Sequence, residues 1–386
     1  GYVDASAATA GTTALFSGFS KLTSVGNIKL LAAADISNTF KGCTSLTSID
    51  GFACNNATTG TDNIFADIPK LTTLNRIELA KATSCTNLLS KCTDVTSIDF
   101  INLNSLSTTG DLFNGAGKIT KIGTLWIQKA TNCTNLFKSI PNLTQISDIN
   151  INSLSDATGL FANLTKLTSI GSVHTNSLKI ADRMFYGCTK LSSFIPGSAF
   201  ITANITSAVS MYENCTNLPL VISAYNWNGI INAERMFCNC DKIVTVDACN
   251  IPNATNTKGL FKDSNNINTI KTMNVGKSAN CAEMFSGCAK LNTLTNLNVS
   301  ASDSANETNI FTGCKLLKTI RFSGTKAFTS INLSNTALDS NALTNLITSL
   351  PITTTGNLNI NGTPASSTIT DIQKNDALYK GYVITL

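Results

Sequence analysis

Apolar residues return along this chain in a fixed order about every 24 residues, with polar residues filling the spaces between. The centre of each set is an aromatic anchor: Phe16, Phe40, Phe65, Phe113, Phe137, Phe161, Phe185, Tyr212, Phe237, Phe261, Phe285 and Phe311, with Leu89 taking one place. A long apolar residue precedes nearly every anchor, as at Leu112, Leu136 and Met184. Six residues after it stands an aliphatic (Leu46, Leu71, Val95), and nine after it another (Ile98, Ile122, Ile146, and Val221 in the Tyr212 coil). Apolar and polar residues then alternate, as in Leu125-Trp126-Ile127 and Ile149-Asn150-Ile151.

Alternation with period two marks a strand with one buried face. A short strand at the same place in every coil pairs only with its copies above and below. The pattern therefore predicts a parallel sheet running along a solenoid, with strands about 4.8 Å apart. The stretch before each anchor, such as residues 176–184, reads as a short helical turn on the opposite face. Small residues four before the anchor (Ala157, Ala181, Cys281) suit close packing of neighbouring coils. The expected fold is an α/β solenoid of about 24 residues per coil, some 13 coils over residues 1–330.

Beyond Ile331 the pattern changes. Leu343, Leu346, Ile347 and Leu350 are helically spaced, with Asp339 as N-cap and Pro351 just past the end. A strand at 358–360, a helix near 371–380 stopped by Gly381, and a last strand at 382–384 follow. Residues 331–386 are thus expected to form atypical capping coils. Gly1 in place of an initiator Met suggests a fragment or processed product of a longer chain.

Blocks such as Met184-Phe185-Tyr186-Gly187-Cys188-Thr189-Lys190-Leu191 and Met284-Phe285-Ser286-Gly287-Cys288-Ala289-Lys290-Leu291 resemble leucine-rich repeats of the BspA-like kind, over roughly residues 10 to 330. That resemblance implies a surface-exposed adhesion or recognition module of bacteria, some protists or phage tails. Residues 335–386 look similar to the ends of repeat proteins on phage tails. Localisation on a virion (tail or surface appendage) or a bacterial cell surface is expected on this basis, and fold alone does not establish it.

Composition narrows the function classes. Only 13% of residues are charged and the net charge of +5 is scattered, which argues against nucleic acid. No apolar run reaches the roughly 20 residues of a membrane span, so membrane insertion is not expected. Asn, Thr and Ser dominate the outward positions, a surface suited to glycans, proteins, copies of itself or a larger tail or surface assembly. Of the thirteen cysteines, seven sit three residues after an anchor, including Cys92, Cys188 and Cys240. Placement locked to the repeat makes them small core residues and free thiols, apart from a conceivable Cys215–Cys240 bridge. Free thiols in quantity favour folding in a reducing compartment.

His174 is the only histidine, which removes most metal sites and imidazole acid–base pairs. No phosphate loop or nucleophile elbow is present. The chain is expected to be no enzyme, with no catalytic residue, no metal site and no cofactor. The candidate binding residues lie thirteen after the anchor, pointing outward: Asn102, Trp126, Asn150, His174 and Tyr225, with Trp227 beside the last. Aromatics on an amide-lined face stack on sugar rings or anchor a protein partner; half-buried filling is the competing account. The function expected is recognition or adhesion, binding a host glycan or host surface protein. A structural spacer or self-associating subunit of a fibre, tail or capsid decoration is the alternative. Long coils bring Pro196, Phe200, Pro219, Tyr225 and Trp227 together as candidate recognition loops. Seven after the anchor runs a hydroxyl row from Thr23 through Thr168 to Ser192, expected to satisfy backbone groups rather than to order water for ice binding.

Overall fold

Nine strands follow one another in chain order through the first part of a computed structural model of the chain, which describes all residues except 1–2, 10–11, 111, 195–199, 300–305 and 326–327. The chain divides into two compact units, residues 1–178 with 188–201 and residues 179–187 with 202–386. Both are parallel-strand solenoids with few helices.

In the first unit, β1 (Val3–Asp4), β2 (Ser24–Lys29), β3 (Ser48–Ala53), β4 (Thr73–Glu78), β5 (Ser97–Asn102), β6 (Lys121–Trp126), β7 (Gln145–Asn150), β8 (Ser169–His174) and β9 (Ser193–Phe194) form one parallel sheet. Its register sets equivalent residues side by side: Ile98 on Ile122, Ile122 on Ile146, Ile146 on Ile170. In most coils the residues nine, twelve and fourteen after the anchor are buried, as Ile98, Ile101 and Leu103 are. Opposite them the anchor rings stack, Phe113 on Phe137 at 6.0 Å and Phe137 on Phe161 at 5.3 Å. Such pairs add about 0.5–1.5 kcal/mol each beyond the area they bury.

The short helical turns opposite the sheet take the form of tight turns bonded from coil to coil. Residues two before and two after the anchor are left-handed, as at Asn87 (φ 55°) and Lys91 (φ 60°) around Leu89. That swings the anchor amides towards the next coil: Phe16 N–H donates to Thr39 O at 2.8 Å and Phe40 N–H to Ile64 O at 2.9 Å. Asn and Gly suit these positions because they tolerate positive φ. At Gly115 (φ +87°) space also decides, since a Cβ would stand 2.5 Å from Lys91 N.

The cysteines complete this bonding. Cys92 Sγ donates to Phe65 O at 2.7 Å and Cys188 Sγ to Phe161 O at 3.1 Å. In the second unit Cys288 Sγ donates to Phe261 O at 3.0 Å, and Ser264 takes the same role towards Phe237 O at 2.8 Å. Each thus supplies a donor to the buried carbonyl of the preceding anchor, beyond merely being small. All thirteen are free and buried.

The second unit stacks Phe185, Tyr212, Phe237, Phe261, Phe285 and Phe311 at 5.2–6.0 Å. Strands β10 (Thr245–Asn250), β11 (Thr269–Asn274), β12 (Thr293–Asn298) and β13 (Thr319–Phe322) pair in order. A further sheet joins β14 (Ser330–Asn332), β15 (Gly356–Asn359) and β16 (Tyr382–Thr385). Helix α1 (Ser340–Ser349) is capped by Asp339, which accepts from Ala342 N at 2.9 Å. Helix α2 (Asp371–Tyr379) starts from a capping box of Thr370 and Gln373 and ends before Gly381 (φ +86°). Both helices lie where the spacing predicts.

The Tyr212 coil departs from expectation. A 3-10 turn at Ile222–Ala224 stands where the other coils carry a strand. Val221, assigned to the buried row, is 62% exposed, while Leu220 and Ile222 on either side are buried. This coil holds one residue more than most, and Pro219 precedes the strand position without an N–H to pair.

Two outcomes are expected. Phe137→Ala removes a ring stacked on both sides and destabilises by about 3–5 kcal/mol in denaturant unfolding, whereas Phe137→Leu, copying Leu89, costs well under half of that. Burial pushes the thiols of Cys92 and Cys188 up from 9.0 to about 12, favouring the neutral donor. Their stabilisation is therefore intact below pH 9.0 and is lost as pH rises towards about 12. Unfolding midpoints measured across that range should fall, and thiol reagents at neutral pH should react only with the unfolded chain.

Candidate functional site

Strand residues eleven and thirteen after the anchor lie outside the sheet, unconstrained by the core. On β4 to β8 these two rows carry a connected set of side chains. Trp126 ends β6 and His174 ends β8, with β7 between them. Asp148 of β7 bridges the two: Trp126 Nε1 donates to its Oδ2 at 3.2 Å, and His174 Nε2 lies 2.8 Å from its Oδ1. One carboxylate thereby orients both rings.

On its other side Trp126 meets the Phe100 ring of β5 edge to face, at 5.3 Å and 72°. The Arg76 guanidinium of β4 covers Phe100 at 4.1 Å and pairs with Glu78. The indole remains 37% exposed, so part of its surface is open to a ligand. A neutral imidazole donating from Nε2 leaves Nδ1 as an acceptor, and the carboxylate retains lone pairs for further donors. The set can offer an apolar ring to stack on and acceptors for hydroxyl or amide groups.

The predicted residues divide. Asn102, Trp126, Asn150 and His174 stand side by side in register, Asn102 on Trp126, Trp126 on Asn150 and Asn150 on His174. Asn102 and Asn150 are half-buried, and their Oδ1 atoms accept from the backbone N–H of Asn104 and Asn152, each at 3.3 Å. Their amides are thus engaged in closing the turn after the strand. Tyr225 lies in the second unit, half-buried against Trp227 at 5.2 Å.

Trp227 corrects the reading from sequence. It is 2% exposed, packs against Phe237 at 6.2 Å and donates from Nε1 to Ile222 O at 3.0 Å. The extra residue of its coil moves it from the outer row into the buried row that Ile127 and Ile251 occupy elsewhere. Of the other recognition-loop candidates, Phe200 is buried, Pro219 is exposed, and Pro196 lies outside the described residues.

Sequence reasoning missed Asp148, Phe100 and Arg76. Stepping back two residues from the outer row along each strand finds all three, because period two puts them on the same face. The threonine row has a backbone role: Thr144 Oγ1 donates to Thr120 O at 2.8 Å and Thr168 Oγ1 to Thr144 O at 2.9 Å. Among the described residues no group of three or more His, Cys, Asp or Glu could hold a metal ion, and no helix is long and apolar enough to cross a membrane.

Fold and surface together define a leucine-rich-repeat type of solenoid with an open sheet face. Residues 131–249 and 206–324 match the family described as "Mycoplasma protein of unknown function, DUF285"; together they span half of the chain, which belongs to that family. No curated protein matches. Among solved structures, a chain of the Toll–Spatzle complex of Drosophila is similar at 15% identity and TM-score 0.35, over 87% of this chain and 48% of that one. A chain of the TLR13–ssRNA13 complex is similar at 14% and 0.33, over 99% and 53%. A leucine-rich repeat protein from Bacteroides ovatus is similar at 15% and 0.27, over 81% and 86%. The chain thus spans about half the length of the first two. At these identities and scores the likenesses assign neither ligand nor role.

Asp148→Ala is expected to release the indole while changing global stability by less than about 1 kcal/mol. Acrylamide quenching checks this: the Trp126 component, isolated by subtracting the Trp126→Phe spectrum, should become more quenchable, and the buried Trp227 component should not.

Proposed function

We propose that the chain is a non-enzymatic recognition or adhesion module that binds through the outer sheet face of its first unit. The observation that carries this reading is the placement of Trp126 and His174, both oriented by Asp148 on a half-exposed surface. A ring used only to cover the sheet needs no fixed azimuth; a ring that receives a ligand does, because preorganisation lowers the entropy lost on binding. The repeating scaffold supports the same conclusion, since solenoids present extended faces to partners.

The ligand proposed is a glycan or protein of a host surface. A sugar ring would stack on the indole while its hydroxyls donate to Asp148, and the low charge of the chain suits such a neutral ligand. A BspA-like module displayed on a virion tail or a bacterial cell surface is the setting proposed, supported by the free thiols and by the resemblance of the repeat blocks. The second reading, a spacer or self-associating subunit, is supported by exposed apolar side chains on the last coil, Leu378, Tyr379 and Val383.

Binding to a glycan array and to a panel of bacterial cells tests the first reading. Trp126→Ala should reduce it by about tenfold or more with unchanged melting temperature, and Asp148→Ala should do so less strongly. Binding by Trp126→Ala equal to that of the unmodified chain would remove this face as the site.

A further inference from the structure

The last coil has an outer face unlike that of any coil inside the stack. Helix α2 turns Gln373 and Ala377 inward, and Gln373 Nε2 donates to Ser340 O at 2.8 Å and Thr344 Oγ1 at 2.9 Å on α1. The opposite side of α2 exposes Ile372 by 73%, Leu378 by 63% and Tyr379 by 78%. Beside it β16 pairs with β15 on one edge and, among the described residues, with no strand on the other. Val383 and Leu386 are 62% and 52% exposed there. Between helix and strand runs a shallow apolar groove of about 200 Å³, lined by Leu378, Tyr382, Val383, Ile384 and the Lys374 stem. Open strand edges with apolar neighbours pair with further strands unless something blunts them, and β16 holds no proline, lysine or charge.

We propose that this end face binds a second copy of the chain about a two-fold axis that runs parallel to the plane of the last coil, just outside its open edge, and perpendicular to β16. Such an axis reverses strand and helix together. It sets β16 antiparallel to β16 of the copy and α2 antiparallel to α2 of the copy in one operation. Backbone groups of the open edge then pair, Val383 meets its counterpart across the axis, and Leu378 packs against the apolar groove of the copy.

Charge favours this occupant over a head-to-tail one. Asp371 opens α2 with its side chain 94% exposed and in a 3.5 Å ion pair with Lys374, and Lys380 closes the helix. Antiparallel apposition sets the acidic end of each helix beside the basic end of its copy and opposes their macrodipoles. Lys380 donates from Nζ to Leu350 O at 2.9 Å, which keeps its charge at that end. The interface is isologous, so association stops at the dimer. It uses none of the residues of the sheet-face site, and its failure would leave that reading untouched.

Sedimentation velocity of the full chain across a hundredfold concentration range is the test. A monomer–dimer equilibrium is expected, weakened by about tenfold or more in Val383→Lys and in Leu378→Asp, with unchanged circular dichroism. Val383→Cys reads the geometry directly. Opposed residues of an antiparallel pair lie about 4.5–5.5 Å apart at Cα, within disulfide reach, and the native thiols are buried. Mild oxidation should give a covalent dimer for Val383→Cys and none for Asn228→Cys, an exposed position away from this end. A chain that stays monomeric throughout, or one whose size grows without limit, would overturn the proposal, as would a Val383→Cys protein that does not cross-link.

Discussion

In most coils of this protein the anchor N–H must find its acceptor on the coil that follows, as Phe40 N–H finds Ile64 O and Phe237 N–H finds Leu260 O. That requirement governs the rest. An unpaired buried backbone group costs about 1–3 kcal/mol, and among the described residues a Cys or Ser of the following coil adds a side-chain bond to the anchor's carbonyl in eight coils. The acceptor arrives only when successive coils stack in register, which ties together the spacing of the rings, the strand pairing and the left-handed turns across anchor steps of 24 to 27 residues. In the Tyr212 coil, where Pro219 precedes the strand position, a 3-10 turn replaces the strand and the buried row shifts by one position.

With the interior held in this way, the outer face of the sheet is free to vary, and the function proposed for the chain rests on that variation. Neighbouring strands lie close enough for a side chain from one to reach rings on both sides. Asp148 does so, binding Trp126 and His174 from the strand between them. The asparagines of the same row belong to the scaffold, since their side-chain oxygens close the turn that follows each strand. One row of positions therefore carries both scaffold residues and the residues of the candidate site, and residue type separates the two.

The spacing of apolar residues made most of the fold legible. Strands, buried rows and both C-terminal helices with Asp339 and Gly381 at their ends follow from periods of two and 3.6 and from capping chemistry, all local properties. The Cys row was legible as repeat-locked, and its donor role was not, because an S–H bond to a carbonyl 27 residues earlier is invisible without coordinates. The side-chain cluster offered as a candidate site was half legible. Trp126 and His174 were found from their row, whereas Asp148, Phe100 and Arg76 lie on the row beside it, and Trp227 turned inward where the count slipped.

The amino-acid sequence by itself determined the period, the identity of the buried rows and the kind of face left exposed, because each depends on which residues recur at fixed separations. Only the tertiary structure decided which side chains meet: the carboxylate between two rings, the thiol under a carbonyl, the apolar face left on the last coil. Those contacts join residues one or two coils apart, and register across strands is a property of the stack that no single repeat contains.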